Sequence, residues 1–383
     1  MITFWAAVAV PLLAWWLWHP LRALHGHAFF WALGWTTLLG LFPALLLWAV
    51  RSTSLAYEVI APLQVVGGWL LASLLLAWLL AVLRDLLWLL AGRKARRWNK
   101  VSTTIATTAL ALLVAGYGTW QGLKVPQVRE QNLSLPRLPA ALDGLRVAVL
   151  ADMHASPVNN AAYVQALVDR TLAAQPDLIV LPGDLVDGDT ATQAVHLTAL
   201  RQLDAPYGVW AAPGNHEYYS GYDAWAQVFR QLPLHYLENQ SQIVDIRGQR
   251  VAISGVGDPA YGRLSRHNTR PLVAEGLPPD IEAVAQQAQG ADFHLLLAHQ
   301  PKLARENAQH GVDLQISGHT HGGHILGMDR WLVAPLNDGF VRGRYALGPM
   351  TLFVSSGAGL WAGFALRLGV PSSIDVLVLR RQP

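Results

Sequence analysis

Two regimes of hydrophobic patterning divide this chain of 383 residues. Over residues 1–121 the apolar positions run on without a period, in four stretches at roughly Ile2–Trp18, Phe29–Val50, Pro62–Val82 and Thr104–Trp120. Each is near the ~20 residues needed to cross ~30 Å of hydrocarbon, so the pattern predicts four transmembrane helices. The first is short and holds Pro11, but it lacks a charged leader and a small-x-small cleavage site, which favours a retained helix over a signal peptide. Arg84–Gly92 either prolongs the third helix or lies in the membrane interface. Residues 122–144, with Pro126, Pro136 and Pro139, are a linker in which Val128–Leu135 has the character of an edge strand.

From residue 145 to 383 the apolar runs are shorter and end abruptly. Leu145–Ala151, Leu178–Pro182, Gly208–Pro213, Phe293–Ala298 and Asp313–Ser317 are each four to eight residues long and closed by Gly, Pro or a polar residue, the pattern of buried strands. Between them apolar residues recur at helical spacing: Val164, Leu167, Val168 and Leu172 after an Asn159-Asn160 cap, then Val195, Leu200 and Leu203, then a stretch beginning near Asp223. Three strand–motif–helix units predict an α/β domain. Arg250–Val256, Thr351–Ser356 and Ile374–Leu379 add strands with fewer helices, so the second half is richer in β-structure.

Charge sharpens the division. Residues 1–120 hold 12 of the 16 Trp, eight bases and only two acids, Glu58 and Asp85. Removing those from the totals of 28 Lys+Arg and 25 Asp+Glu leaves 20 bases against 23 acids, so the rest of the chain is mildly acidic and the net charge of +3 belongs to the membrane flanks. Nucleic acid is therefore not an expected partner, since it requires a basic face on the globular part. Arg93-Lys94-Ala95-Arg96-Arg97-Trp98-Asn99-Lys100 marks a cytoplasmic loop by the positive-inside rule, which sends everything after the fourth span to the extracytoplasmic side. Glu58 and Asp85 fall near span ends, which gives a proton or ion path little support. Cysteine is absent, so histidine and carboxylate must do any metal work.

Each of the five strand-like runs leads into a polar cluster: Asp152-Met153-His154, Gly183-Asp184, Gly214-Asn215-His216-Glu217, Ala298-His299 and Gly318-His319-Thr320-His321. Strand ends of one sheet lie side by side, so residues distant in sequence converge on one small volume. Taken singly, each cluster is most often a turn or a satisfied core histidine. Taken together they suit a two-metal hydrolytic site, in which two cations neutralise phosphoryl oxygens and acidify water. Imidazole and carboxylate donors suit Mn, Fe, Zn or Ni rather than Mg or Ca. The glycines permit sharp turns and close backbone approach.

The ordered series Asp-x-His, Gly-Asp-x-x-Asp, Gly-Asn-His-[Asp/Glu], a later His and Gly-His-x-His resembles the calcineurin-like metallophosphoesterase superfamily over about Leu145 to Arg380. Ala298-His299-Gln300-Pro301 and Gly318–Gly323 are similar to its membrane-associated bacterial branch typified by YkuE and YaeI. The resemblance implies a metallophosphoesterase β-sandwich flanked by α-helices, here preceded by the four-helix transmembrane region. It implies Asp152, His154 and His321 on one metal ion, Asp184 bridging to a second, and Asn215, His299 and His319 completing that one. It implies His216 as proton donor to the leaving oxygen, with Asp187 orienting a ligand. Three positions depart from the common pattern: Ala151 and Ser156, since Ala151-Asp152-Met153-His154-Ala155-Ser156 replaces Ser-Asp-x-His-x-Gly, and His324, which stands where Gln is common and is a candidate to touch substrate or tune the site.

The expected protein is an integral protein of a bacterial cell membrane with an extracytoplasmic phosphohydrolase, most simply a phosphodiesterase, using two ions of Mn, Fe or Zn. The alternatives are a lipid-linked pyrophosphate or UDP-sugar-lipid hydrolase, and a membrane sensor that binds phosphate ligands without turnover. The expected partners are a phosphate ester, lipid-linked in the alternative, and membrane lipid. His196, His235, His267, His294 and His310 match no motif and read as structural or surface residues, and His19, His25 and His27 as interfacial packing. Gly359–Phe364 is either a lip that meets lipid or a buried loop.

Overall fold

The computed structural model describes residues 2–22, 26–52, 56–92, 99–262, 275–360 and 362–382. The cationic segment Arg93–Trp98, together with His25, His267 and Trp361, lies outside the described residues. Two compact units result: Met1–Gly122 with Ala362–Leu366, and Leu123–Trp361 with Arg367–Pro383.

The first unit is helical: α1 (Ile2–Trp18), α2 (Gly26–Ser52), α3 (Tyr57–Ala91) and α4 (Lys100–Leu123). Among the described residues three helices, α2, α3 and α4, are long and apolar enough to cross a membrane. Helix α1 has the bounds expected for the first span and is the shortest of the four, about 25 Å at 1.5 Å per residue. Arg84–Ala91 continues α3, which resolves the alternatives left open by its sequence. What holds that extension is a polar cluster: Arg84 Nε meets Asp85 Oδ1 at 2.9 Å, Arg84 Nη1 donates to Leu17 O and Thr104 Oγ1, and Trp16 Nε1 donates to Asp85 Oδ2. Ala77, Ala81 and Ala111 are buried beside Leu17, small side chains that allow close helix approach. Large apolar side chains such as Trp31, Leu89 and Leu113 face outward.

The second unit contains two six-stranded sheets. The first comprises β1 (Val128–Leu135), β2 (Arg146–Val149), β3 (Leu178–Pro182), β4 (Val209–Ala212), β5 (His235–Tyr236) and β12 (Ile374–Arg381), in the order β1-β12-β2-β3-β4-β5. The second comprises β6 (Gln240–Ile246), β7 (Gln249–Gly255), β8 (Phe293–Leu297), β9 (Leu314–Ser317), β10 (Gly343–Leu347) and β11 (Met350–Val354), in the order β10-β11-β9-β8-β7-β6. Strands β2 to β5 run parallel, as do β7, β8, β9 and β11, whereas β12 pairs antiparallel with β2. The edge position expected for Val128–Leu135 is that of β1.

Alternation within the strands explains the layering. Val147, Val149, Leu178, Val180 and Trp210 of the first sheet share a core with Val251, Ile253, Leu295, Leu297, Leu314 and Ile316 of the second. The intervening Ala148, Leu150, Ile179 and Leu181 point the other way, onto helix α5 (Ala161–Ala173) through Val164, Leu167 and Val168. The second sheet does the same, Leu296, Leu352 and Val354 packing on Ile281 and Val284. Strands buried on both faces need apolar residues at every position, which is why their sequences read as continuous apolar runs. The fold is a β-sandwich flanked by helices, as the resemblance implied. Asn160 caps α5, its side chain accepting from Ala162 N and Tyr163 N. In the next helical stretch Leu200 and Leu203 are buried but Val195 is exposed, because that segment winds as a 3-10 helix over Ala194–Gln202 and shifts the expected face.

Candidate metal centre

All five polar clusters follow the C-terminal ends of parallel strands. One expectation changes: they do not leave a single sheet. Asp152, Asp184 and Asn215 follow β2, β3 and β4, while His299 and His319 follow β8 and β9 of the facing sheet. Two packed sheets lie ~10 Å apart, close enough for side chains from both rims to meet.

The turns that aim these side chains are strained. Of ten non-glycine residues with positive φ among those described, six are named candidates: Asp152 at 53°, His154 at 47°, Asp184 at 53°, His319 at 73°, His321 at 47° and His324 at 60°. Side chains bearing a Cβ rarely adopt this conformation, and such strain concentrates at functional sites. Neighbouring glycines provide the clearance. A Cβ on Gly183 would lie 2.5 Å from Gly214 N, and one on Gly318 2.5 Å from Asp152 Oδ2.

The cluster contains three groups of His and Asp whose ligand atoms lie within 4.8 Å of one another: Asp152, His154 and His321; His154, Asp184 and His216; Asp184, His299 and His319. His154 Nε2 faces His321 Nε2 at 3.1 Å, and Asp184 Oδ2 lies 3.1 Å from His299 Nε2 and 3.8 Å from His154 Nε2. Asn215 Oδ1 is 3.1 Å from His299 Nε2 and 2.7 Å from His319 Nδ1. Every position expected from the sequence is therefore drawn into one cluster.

Backbone and carboxylate contacts fix the remaining atoms. His299 Nδ1 lies 2.9 Å from Pro182 O, which assigns the proton to Nδ1 and turns the Nε2 lone pair inward. His319 N donates to Asp152 Oδ1 and His216 N to Asp184 Oδ1, each at 2.8 Å. Asp187 Oδ1 receives both His154 Nδ1 at 2.9 Å and His216 Nδ1 at 2.5 Å. His216 is the half-buried member, its ring edge-on to His154 at 4.5 Å, and His324 stands 5.1 Å from His321.

The donors fit metal ions. Asp152 Oδ2, Asp187 Oδ2 and His321 Nδ1 are buried without a hydrogen-bond partner among the described residues. Burial, with the neighbouring Asp184 charge opposed by His299, pushes the Asp152 carboxyl above its usual range. Burial holds the His319 imidazole down at about 3 and His321 well below its ordinary value, so both present neutral rings with available lone pairs. Crowded carboxylates beside neutral imidazoles are relieved by a cation in their midst.

Three buried supports have no role at the site in the sequence reading, which places Asn159 only in a helix cap. Glu217 accepts from Asp184 N at 3.1 Å, Leu185 N at 2.7 Å and Gly214 N at 2.7 Å, joining the strained turn at Asp184 to the neighbouring turn at Gly214. Arg367, 1% exposed, donates to the carbonyls of His321, Ser356, Gly359 and Val370. Asn159 Nδ2 donates to the carbonyls of Met153, His154 and Leu360. Glu217 sat inside a quoted motif and was within reach; an arginine in an apolar stretch is the only local signal for Arg367.

A sandwich with this cluster at its rim defines a metal-dependent hydrolase. Residues 145–323 match the family described as calcineurin-like phosphoesterase. The chain is 31% identical over 296 residues to an uncharacterized metallophosphoesterase of Campylobacter jejuni, aligning 76% of this chain with 74% of that relative. It is 27% identical over 305 residues to the transmembrane protein with metallophosphoesterase domain of Danio rerio, covering 76% and 67%. It is 26% identical over 275 residues to the uncharacterized metallophosphoesterase YkuE of Bacillus subtilis, covering 69% and 89%. The chain belongs to the calcineurin-like metallophosphoesterases, a family that normally uses a dinuclear metal centre, and is a hydrolase of phosphoric ester bonds.

Proposed function

We propose that this chain is a membrane-anchored phosphodiesterase working with two ions of Mn, Fe or Zn. The observation that carries the reading is the filled donor set, with Asp184 Oδ2 lying toward His299 on one side and His154 on the other. In this reading Asp152, His154 and His321 hold one ion, Asn215, His299 and His319 the other, and Asp184 is shared. Bound ions supply charge neutralisation at the phosphoryl oxygens and water acidified for attack.

The chain's own residues do the rest. His216 protonates the leaving oxygen, its Nδ1 held by Asp187 so that the opposite edge of the ring is aimed for proton transfer. Asp187 also fixes the tautomer of His154, coupling the proton donor to a ligand through one carboxylate. Asp152 and Asp184 receive backbone N–H groups on one oxygen each, which fixes the direction of the other. The helices α2, α3 and α4 anchor the chain in a bilayer, and the cations of Arg93–Lys100 favour a cytoplasmic loop, which puts the catalytic unit outside if α4 crosses.

The test is hydrolysis of bis-p-nitrophenyl phosphate by purified protein as isolated, after chelation, and with Mn, Fe or Zn restored, beside Asp184→Asn and His216→Ala. Activity should vanish with chelator and with Asp184→Asn, whereas His216→Ala should bind two ions and lose hydrolysis. Full turnover by His216→Ala would remove it as the acid. No turnover of this diester with two ions bound would refute the phosphodiesterase reading.

A further inference from the structure

Among the described residues of the second unit, seven large apolar side chains are exposed, and four belong to the single segment 326–336: Leu326 at 68%, Trp331 at 84%, Leu332 at 54% and Leu336 at 72%. The other two described Trp of this unit, Trp210 and Trp225, are fully buried. An apolar patch concentrated in this way marks an interaction surface, whereas scattered exposure is ordinary.

The patch is held outward by a polar underside. Asp329 Oδ1 accepts from Gly327 N and Arg330 N, and its Oδ2 meets Arg342 Nη2 at 2.8 Å. Arg342 Nη1 donates to Gly322 O, and Leu326 N to Leu368 O. At Gly323, where φ is +85°, a Cβ would lie 2.5 Å from Asp329 Cβ, so the segment is pressed directly onto the Gly-His-Thr-His-Gly-Gly loop. Trp331 and Leu332 ride on a π-helical turn, Asp329–Val333, that continues into Ala334–Leu336. The apolar face thus has a fixed place at the edge of the metal cluster, two residues past His324.

Its charge indicates the partner. Asp329 is matched by Arg342 and Asp338 by Arg305, which leaves exposed Arg330, in no ion pair among the described residues, as the open charge beside Trp331. Leucines with a tryptophan and a flanking cation suit the boundary between acyl chains and anionic headgroups. The same polypeptide bears three helices able to cross a membrane, with only Lys124–Gln127 between α4 and β1.

We propose that residues 326–336 dock into the interface of an anionic bilayer and hold the rim of the metal cluster at headgroup level, so that the site favours phosphate esters displayed on a membrane. This rests on the anchoring proposed above. Because the chain has no cysteine, a single Leu336→Cys carries one environment-sensitive fluorophore with Trp331 and Arg330 intact. The full chain is reconstituted, one copy per disc, in phosphatidylcholine–phosphatidylglycerol nanodiscs with nitroxide-bearing lipids.

The label should be quenched roughly twofold or more, as for a group seated in the headgroup region. A label at exposed Val195→Cys should not be, and Arg330→Glu should weaken the effect at 336. Equal quenching at 195 and 336, no quenching at 336, or a blue shift without nitroxide quenching would each overturn the proposal, the last pointing to a protein contact instead. Alkaline washing of proteoliposomes separates the two readings: a chain that washes off refutes anchoring, whereas a retained chain with an unquenched label refutes only the docking.

Discussion

Replacing Glu217 by Gln tests the idea that a buried carboxylate, itself no metal ligand, holds the strained turn at Asp184 in register with the turn at Gly214. Glu217 is fully buried, and its two oxygens receive three backbone N–H groups: Leu185 N on Oε1, Asp184 N and Gly214 N on Oε2. Burial and the Asp184 carboxylate push its pKa up to about 7, while the Leu185 and Gly214 N–H donors hold the anion. Glutamine is isosteric but offers one acceptor oxygen. In its better orientation the amide nitrogen opposes Leu185 N, so one bond is lost and two buried donors face each other. At about 1–3 kcal/mol per unsatisfied group, the expected loss is about 2–4 kcal/mol. For a unit of this size that lowers the melting temperature by roughly 4–16 °C. Thermal melting of the purified protein, with metal content measured on the same samples, is the assay. The Gly183–Asp184 and Gly214–Asn215 turns should loosen together, so bound metal should fall as well. A variant that melts within a degree of the parent and keeps its ions would refute the argument.

Two further outcomes are expected. Arg367→Met should remove the guanidinium donor from four buried carbonyls, of which His321 O keeps His324 N, cost about 2–4 kcal/mol, and raise hydrogen exchange at the amides of 321–324 and 356–359; Arg367→Lys, with fewer donors, should recover only part, and unchanged exchange in the Met variant would remove Arg367 as the tie between those loops. His294 is buried against Ser254 Oγ at 2.8 Å, and burial lowers its pKa to about 4 from 6.5, so the unfolded chain binds the extra proton between those values. Stability from this group is present above about pH 6.5 and lost as pH falls toward 4, by up to about 3 kcal/mol; the difference in melting temperature between parent and His294→Gln should therefore shift in favour of the variant on acidification, and a difference constant from pH 7.5 to 4.5 would refute it.

Much of the fold could be read locally. The runs Leu145–Ala151, Leu178–Pro182, Phe293–Ala298 and Asp313–Ser317 became β2, β3, β8 and β9 because a strand buried on both faces has to be apolar throughout. Asn160 was legible as a cap because its work is done two and three residues away. The site was legible as a set of donors since each cluster is a short motif at a strand end. Val195 was misassigned to a buried face because the 3.6-residue period does not hold in a 3-10 segment. The run Ile2–Trp18 became α1 with the same bounds, because a helix that is apolar all round is legible from composition alone.

The sequence by itself determined which segments are apolar, the order in which the histidines and carboxylates occur, and the division of the chain near residue 122. Those properties depend on residues close together along the chain. Only the tertiary structure decided that the five clusters leave two facing sheets, that six of the candidate residues sit in left-handed turns, and that Glu217 and Arg367 lock those turns from behind. It alone showed that Trp331 is turned out of the core while Trp210 and Trp225 are turned in. Periodicity records that a side chain will be buried against something; which partner it meets depends on strand pairing between residues more than a hundred positions apart, as when β12 joins β1 and β2, and that pairing is settled only when the whole core closes.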